Sequence, residues 1–202
     1  MTMAMAMAMA APFSLLLLTL LLSPDLSPFA AAKNPTSPGD LVRSSCVHAS
    51  YPTICLRTLS TYSGPAQTPA ELAQAAVRVS LSRANKASSY LTTLRTSSKR
   101  EAGALSDCLS QISDSVDELG RTLSELKHLR SGTFRWQMSN VETWVSAALT
   151  NEDTCLDGFK EVDGKVRSDV KRKITNVAKV TSNALYLINR LDQTRGKAGL
   201  RP

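Results

Sequence analysis

At 202 residues, with 43% hydrophobic and 5% aromatic side chains, the chain is long enough for one domain with its own core and too short for two. Its 24 lysines and arginines outnumber 17 acids for a net charge of +7, but no nucleic-acid motif accompanies the excess and aromatics are scarce, so no nucleic-acid partner is expected. The two histidines, His48 and His128, lie far apart without cysteine or carboxylate at ligand spacing, so neither a metal nor a cofactor is expected.

Residues 1–32 carry a single charged side chain, Asp25, leaving 24 basic and 16 acidic residues, a net +8, for the remainder. Within them, residues 13–22 form an apolar run too short to span a bilayer comfortably, ended by Ser23-Pro24-Asp25. Ala30-Ala31-Ala32 offers the small residues that a signal peptidase reads. The segment is expected to be a secretory signal peptide, with Lys33 as first mature residue, although no Lys or Arg precedes the apolar run. No later stretch is apolar enough to cross a membrane, so a secreted, extracellular protein is expected.

Residues 33–40, with Pro35, Pro38 and Gly39, read as a flexible leader. Residues 41–62 hold Cys46 and Cys55 on either side of Tyr51-Pro52. Proline disfavours helix at the residue before it, so the chain should fold back there into a short hairpin that brings the two sulfurs together. A Pro/Gly/Thr linker then leads to Thr68-Pro69-Ala70-Glu71, with an N-cap threonine, a proline at the first helical position and a glutamate three residues after the cap. From there Val77, Leu81, Ala84, Ser88 and Leu91 repeat at helical spacing, and the helix is expected to fade near Ser97-Ser98.

The second long helix has the clearest pattern: Leu105, Leu109, Ile112, Val116, Leu119, Leu123 and Leu126 alternate four and three apart, with Asp107, Ser110, Gln111, Asp114, Asp117 and Glu118 opposite. It should stop at Ser131-Gly132. The third helix, from about 134 to 156, places Val141, Trp144 or Val145, Ala148, Cys155 and Phe159 on one side and Thr150, Thr154 and Asp157 on another. The fourth starts near Val166, keeps Val170, Ile174, Val177, Thr181, Ala184, Ile188 and Leu191 in step, and frays at Gly196, so that 196–202 form a tail.

No stretch alternates with period two. Four amphipathic helices joined by short loops predict an all-α fold, an up-down-up-down four-helix bundle over 68–195. Sustained heptads also permit an intermolecular coiled coil, but the Gly- and Pro-bearing breaks favour packing within one chain. Four cysteines allow three connectivities. Spacing favours Cys46–Cys55 within the hairpin and Cys108–Cys155 between antiparallel helices, the second closing a loop worth roughly 3–4 kcal/mol in the chain-entropy model.

No catalytic constellation is present: there is no Gly-x-Ser-x-Gly elbow, no phosphate-cradling glycine loop and no His-Glu-x-x-His. Asp114 and Asp117 share one convex helical face, where carboxylates are solvated rather than catalytic. Lys171-Arg172-Lys173 reads as a solvated basic face that can touch an anionic wall polymer. A secreted, disulfide-stapled bundle of this kind binds rather than reacts.

Several segments together resemble the plant invertase inhibitor/pectin methylesterase inhibitor family. They are Cys46…Tyr51-Pro52…Cys55, Ala104-Leu105-Ser106-Asp107-Cys108 with Asp114-Ser115-Val116-Asp117-Glu118-Leu119, the stretch Trp144-Val145-Ser146-Ala147-Ala148-Leu149-Thr150-Asn151-Glu152-Asp153-Thr154-Cys155-Leu156-Asp157-Gly158-Phe159, and Thr181-Ser182-Asn183-Ala184-Leu185. The resemblance covers about 41–195 and implies a secreted bundle with an N-terminal helical hairpin and the same two disulfides. It implies an enzyme inhibitor, not an enzyme, forming a noncovalent 1:1 complex over the substrate cleft of pectin methylesterase. With the chain ending at Pro202, a free inhibitor without an enzyme domain is expected.

Carried over by position relative to the third and fourth cysteines, Asp114, Asp117, Thr154 and Asp157 match the target-binding pattern. Ser110 and Thr150 depart from it, standing where some members carry acids, and the fifth, free cysteine of many members is missing. Acid invertase, of the cell wall or vacuole, is the alternative target. A third reading is a basic structural protein that grips demethylated pectin through its +8 charge.

Overall fold

The computed structural model describes residues 38–62 and 66–198. The expected signal peptide, leader positions 33–37, linker positions 63–65 and the last four residues lie outside the described residues. The described residues hold six α-helices in order: α1 (Pro38–Cys46), α2 (Pro52–Ser60), α3 (Pro69–Leu91), α4 (Lys99–Lys127), α5 (Phe134–Gly158) and α6 (Lys165–Ala198). A single 3-10 turn, Ser131–Thr133, precedes α5, and no strand occurs among the described residues.

The two short helices form the hairpin. α1 opens inside the segment read as a leader, because Pro38 suits a first helical turn and Asp40 complements its positive end. Tyr51 takes non-helical angles ahead of Pro52, the chain reverses, and Cys46 and Cys55 are bridged with their Cα atoms 5.5 Å apart. The turn is fastened to α6 by Asn183, almost fully buried. Its Oδ1 accepts from the Tyr51 backbone N–H at 2.8 Å while its Nδ2 donates to the Tyr51 carbonyl at 3.1 Å. This accounts for an asparagine amid the apolar positions of α6.

α3 starts with a full capping box. Thr68 Oγ1 accepts from the Glu71 N–H at 3.2 Å, and Glu71 Oε2 accepts from the Thr68 N–H at 3.0 Å. It ends at Leu91, earlier than the expected fade near Ser97-Ser98. Thr92 and Thr93 turn their hydroxyls back onto the carbonyls of Ser89 and Tyr90, competing with helix continuation. Ser98 instead begins α4: its Oγ accepts from the Glu101 N–H, repeating the Thr68-x-x-Glu71 spacing. α6 runs three residues into the expected tail, to Ala198.

The long helices pack as α3–α4, α4–α5, α5–α6 and α3–α6, which closes an up-down-up-down ring, and the hairpin rests on α3 and α6. Val77, Ala84 and Leu91 of α3, Val141, Val145 and Ala148 of α5, and Val170, Ile174, Val177, Ala184 and Ile188 of α6 fill the core. On α4 the buried stripe is turned from the expected one. Leu105, Ile112, Leu119 and Leu126 are buried, but Cys108, Ser115 and Thr122 are buried with them, while Leu109, Val116 and Leu123 are only partly covered. α4 meets α5 more extensively than it meets α3, which rolls its α5-facing edge inward.

Cys108 and Cys155 join α4 to α5 with Cα atoms 4.3 Å apart. Replacing both by alanine should lower unfolding free energy by about 3–4 kcal/mol, through the enlarged unfolded ensemble. Losing Cys46–Cys55, which closes only nine residues, should cost less. Urea unfolding of the two double variants measures both; equal losses would mean that local strain, not loop length, governs these bridges.

Candidate functional site: the exposed face of α4 and α5

Two antiparallel helices present the residues singled out from the sequence. Three contacts set their register: Cys108 meets Cys155, Ser115 Oγ donates to Glu152 Oε1 at 2.9 Å, and Asn151 Nδ2 donates to Glu118 Oε2 at 3.0 Å. That register sets Ser110 level with Asp157, Asp114 level with Thr154, and Asp117 level with Thr150. All six side chains are exposed, so the face forms three polar rungs over the α4–α5 seam.

The rungs differ in chemistry. Thr150 and Thr154 donate their hydroxyls to the carbonyls four residues back, Ser146 at 3.0 Å and Thr154 to Thr150 at 2.8 Å, leaving the oxygen lone pairs facing outward. Asp157 pairs with Lys160 at 2.8 Å, both well exposed, so the pair is solvent-screened. Half-buried Glu118 has its carboxyl pushed above the ordinary range, chiefly by burial. The hydrogen bond from Asn151 opposes this, and the charges of Asp114 and Asp117 add to it. The two aspartates thus act on one electrostatic neighbourhood, a carboxylate field suited to hydrogen-bond donors and cations on a partner.

Beneath the face lies a residue that periodicity had passed over. Glu152 is completely buried, its Oε1 accepting from Ser115 Oγ of α4 and Thr181 Oγ1 of α6, each at 2.9 Å. Its Oε2 has no hydrogen-bond partner among the described residues. Burial pushes the carboxyl up to about 8, against the opposing pull of the two hydroxyls, so the group is neutral in acidic and neutral solution. It ties three helices together directly under Asn151 and Asp153. The spacing did carry a signal: Val145, Ala148, Glu152, Cys155 and Phe159 keep the three-four step unbroken.

Two cations of the basic run Lys171-Arg172-Lys173 are engaged by neighbours. Arg172 pairs with Asp169 at 2.8 Å, and Lys173 sits 4.5 Å from the centre of the Tyr90 ring. Among the described residues no group of three or more metal-ligating side chains converges, and no helix is long and apolar enough to cross a membrane.

The family profile described as plant invertase/pectin methylesterase inhibitor matches residues 40–187, spanning the hairpin and nearly all of the bundle. The chain belongs to this family. Among relatives, pectinesterase inhibitor 3 of Arabidopsis thaliana is 58% identical over 168 residues, covering 78% of this chain and 82% of that protein. A 21 kDa protein of Daucus carota is 41% identical, covering 79% of this chain and 87% of its own length. The crystal structure of a mutant form of a pectin methylesterase inhibitor from Arabidopsis superposes with a TM-score of 0.62, covering 76% of this chain and 97% of that one. At 21% identity that likeness is one of fold, and it places this chain's bundle in the architecture of the inhibitor family.

Proposed function

We propose that the chain is a secreted inhibitor of pectin methylesterase that lays the α4–α5 face over the enzyme's substrate cleft in a noncovalent 1:1 complex. The observation that carries this reading is the gathering of Ser110, Asp114, Asp117, Thr150, Thr154 and Asp157 into three exposed rungs on one two-helix surface. These positions come from the family resemblance, and their neighbourhood follows from the helix register. Blocking access needs no chemistry from the inhibitor. It needs a stiff surface whose polar groups replace the sugar hydroxyls and carboxylates that a polysaccharide-binding cleft accommodates.

Stiffness is built in. The Cys108–Cys155 bridge, the Glu118–Asn151 link and the Ser115–Glu152–Thr181 cluster hold the two helices in one register before any partner arrives, which lowers the ordering cost of association. Carboxylates at the edge steer encounter with a cationic partner surface, while hydroxyls and carboxylates at the centre set the lifetime of the complex.

The relatives named pectinesterase inhibitors support the esterase as target over acid invertase. The apolar run and the Ala30-Ala31-Ala32 of residues 1–32, read as a secretory signal, support action outside the cell, in the wall. The test is a titration of the chain from Lys33, with both disulfides formed, against a pectin methylesterase and a cell-wall invertase at pH 5 and 7. Stoichiometric loss of esterase activity with invertase untouched is the expected result. Loss of invertase activity alone overturns the target and leaves the fold.

A further inference from the structure

On the side of the bundle away from α4 and α5, where α2 lies against α3, a groove of about 710 Å³ is lined by Arg57 of α2 and by Arg78, Arg83 and Lys86 of α3. Among the described residues no carboxylate lines it. The charge is also unpaired: the ion pairs among the described residues involve Lys160, Lys165, Arg167 and Arg172, and none of these four cations. Arg78 donates to the Tyr62 hydroxyl, and Arg83 donates to Asn176 Oδ1 of α6, so two of the guanidiniums are held in place by neutral partners. Half-buried Arg83 has its charged form disfavoured by burial first and then by the neighbouring Arg57, a penalty that a bound anion relieves.

The cationic surface does not stop at this groove. Across α2 a second cavity of about 470 Å³ is lined by Lys171 and Lys179 of α6, and by Arg172, whose charge is already met by Asp169; Asn176, the partner of Arg83, lines it too. Arg78 to Lys86 and Lys171 to Lys179 each extend about 12 Å along their helices. Such a length fits a ladder of negative charges rather than one small ion. Hydroxyls of Thr58, Thr61, Tyr62 and Ser82 line the groove with the cations; the two threonines donate to the Ile54 and Arg57 carbonyls and keep lone pairs that can accept from sugar hydroxyls.

We infer that the grooves flanking α2 bind an acidic polysaccharide, a run of uronic acid residues whose carboxylates meet Arg57, Arg78, Arg83 and Lys86. The choice of a uronate rests on the reading of the chain as a pectin methylesterase inhibitor, since hydrolysis of methyl esters leaves a polymer studded with carboxylates. The site lies on the opposite side of the ring from the α4–α5 face, so the inhibitor can hold the polymer and the enzyme together. Retention would then be greatest where demethylation has already proceeded.

The test is direct binding, with no enzyme present, of de-esterified oligogalacturonate to the disulfide-bonded chain from Lys33. Three comparisons accompany it: the fully methyl-esterified oligomer, inorganic polyphosphate, and raised salt. Binding is expected to the acid form only, to weaken more than about tenfold between low and moderate salt, and to exceed binding of polyphosphate of equal charge. Arg57→Gln/Arg78→Gln/Lys86→Gln, all exposed positions, should weaken it at least tenfold. Lys99→Gln/Arg100→Gln/Lys127→Gln, which removes the same charge from exposed positions on α4, should leave it nearly unchanged. Equal loss in the two triple variants, or polyphosphate binding as tightly, overturns the site, as does absence of binding. Esterase inhibition measured separately on the groove variant should equal that of the wild type, so failure here and failure of the inhibitor reading give different results.

Discussion

Glu152→Gln should remove most of the fall in stability that the wild-type chain shows between about pH 4.5 and pH 8. In the native state burial holds the Glu152 carboxyl at about 8, against an ordinary glutamate value of 4.5 once the chain unfolds. Between those values the unfolded chain has released a proton that the native chain still keeps, so each step up in pH favours unfolding. The stabilisation is complete below pH 4.5 and is lost as pH rises to about 8, where the native group also ionises. At about 1.4 kcal/mol per pH unit the whole window is worth on the order of 5 kcal/mol. Glutamine cannot ionise, and its Oε1 can still accept from Ser115 Oγ and Thr181 Oγ1. The two proteins should therefore unfold at similar urea concentrations near pH 4.5 and separate steadily toward pH 8, with the variant the more stable. Parallel curves would show that Glu152 pays no ionisation penalty in the fold. Glu152→Ala should behave oppositely at pH 5, losing about 4 kcal/mol, because two buried hydroxyls lose their acceptor and a cavity opens between three helices.

The same residue shows how far the sequence could be read. Helix periodicity finds α5, and its apolar positions locate the core side, because water penalises exposing them wherever the helix sits. A glutamate at a core step is discounted by that logic. Only the hydroxyls of Ser115 and Thr181, supplied by helices 37 and 29 residues away, make its burial tolerable. The roll of α4 was hidden for a related reason. Leu109, Val116 and Leu123 are as apolar as any core residue, and choosing between them and Cys108, Ser115 and Thr122 requires knowing which neighbour presses harder. By contrast Thr68-x-x-Glu71 was legible in full, since a capping box is closed within four residues. Ser98-x-x-Glu101 was equally local, and marks the true start of α4. The groove cations Arg57, Arg78, Arg83 and Lys86 belong to two helices, and their convergence exists only once the hairpin docks.

Replacing the central rung of the α4–α5 face together with its neighbour Asp117 should abolish inhibition while leaving the fold intact. Asp114→Asn/Asp117→Asn/Thr154→Ala should raise the dissociation constant for pectin methylesterase by about a hundredfold or more, since groups at the middle of an interface, shielded from solvent once the complex forms, carry most of its energy. Asp157→Asn should act differently. Its carboxylate already pairs with Lys160 in solvent at the edge of the face, so its loss should slow association and flatten the salt dependence, with a few-fold effect on affinity. All four side chains are exposed, so urea midpoints should move little from the wild type. Ser110→Asp/Thr150→Asp, which places acids on the outer two rungs, should speed association with a cationic cleft at low salt and change dissociation little. Stopped-flow inhibition at two ionic strengths separates these effects. If the triple variant inhibits as the wild type does, the enzyme docks elsewhere on the bundle; a loss in the triple variant, with Asp157 acting only through the association rate, centres the cleft on the Asp114–Thr154 rung and Asp117.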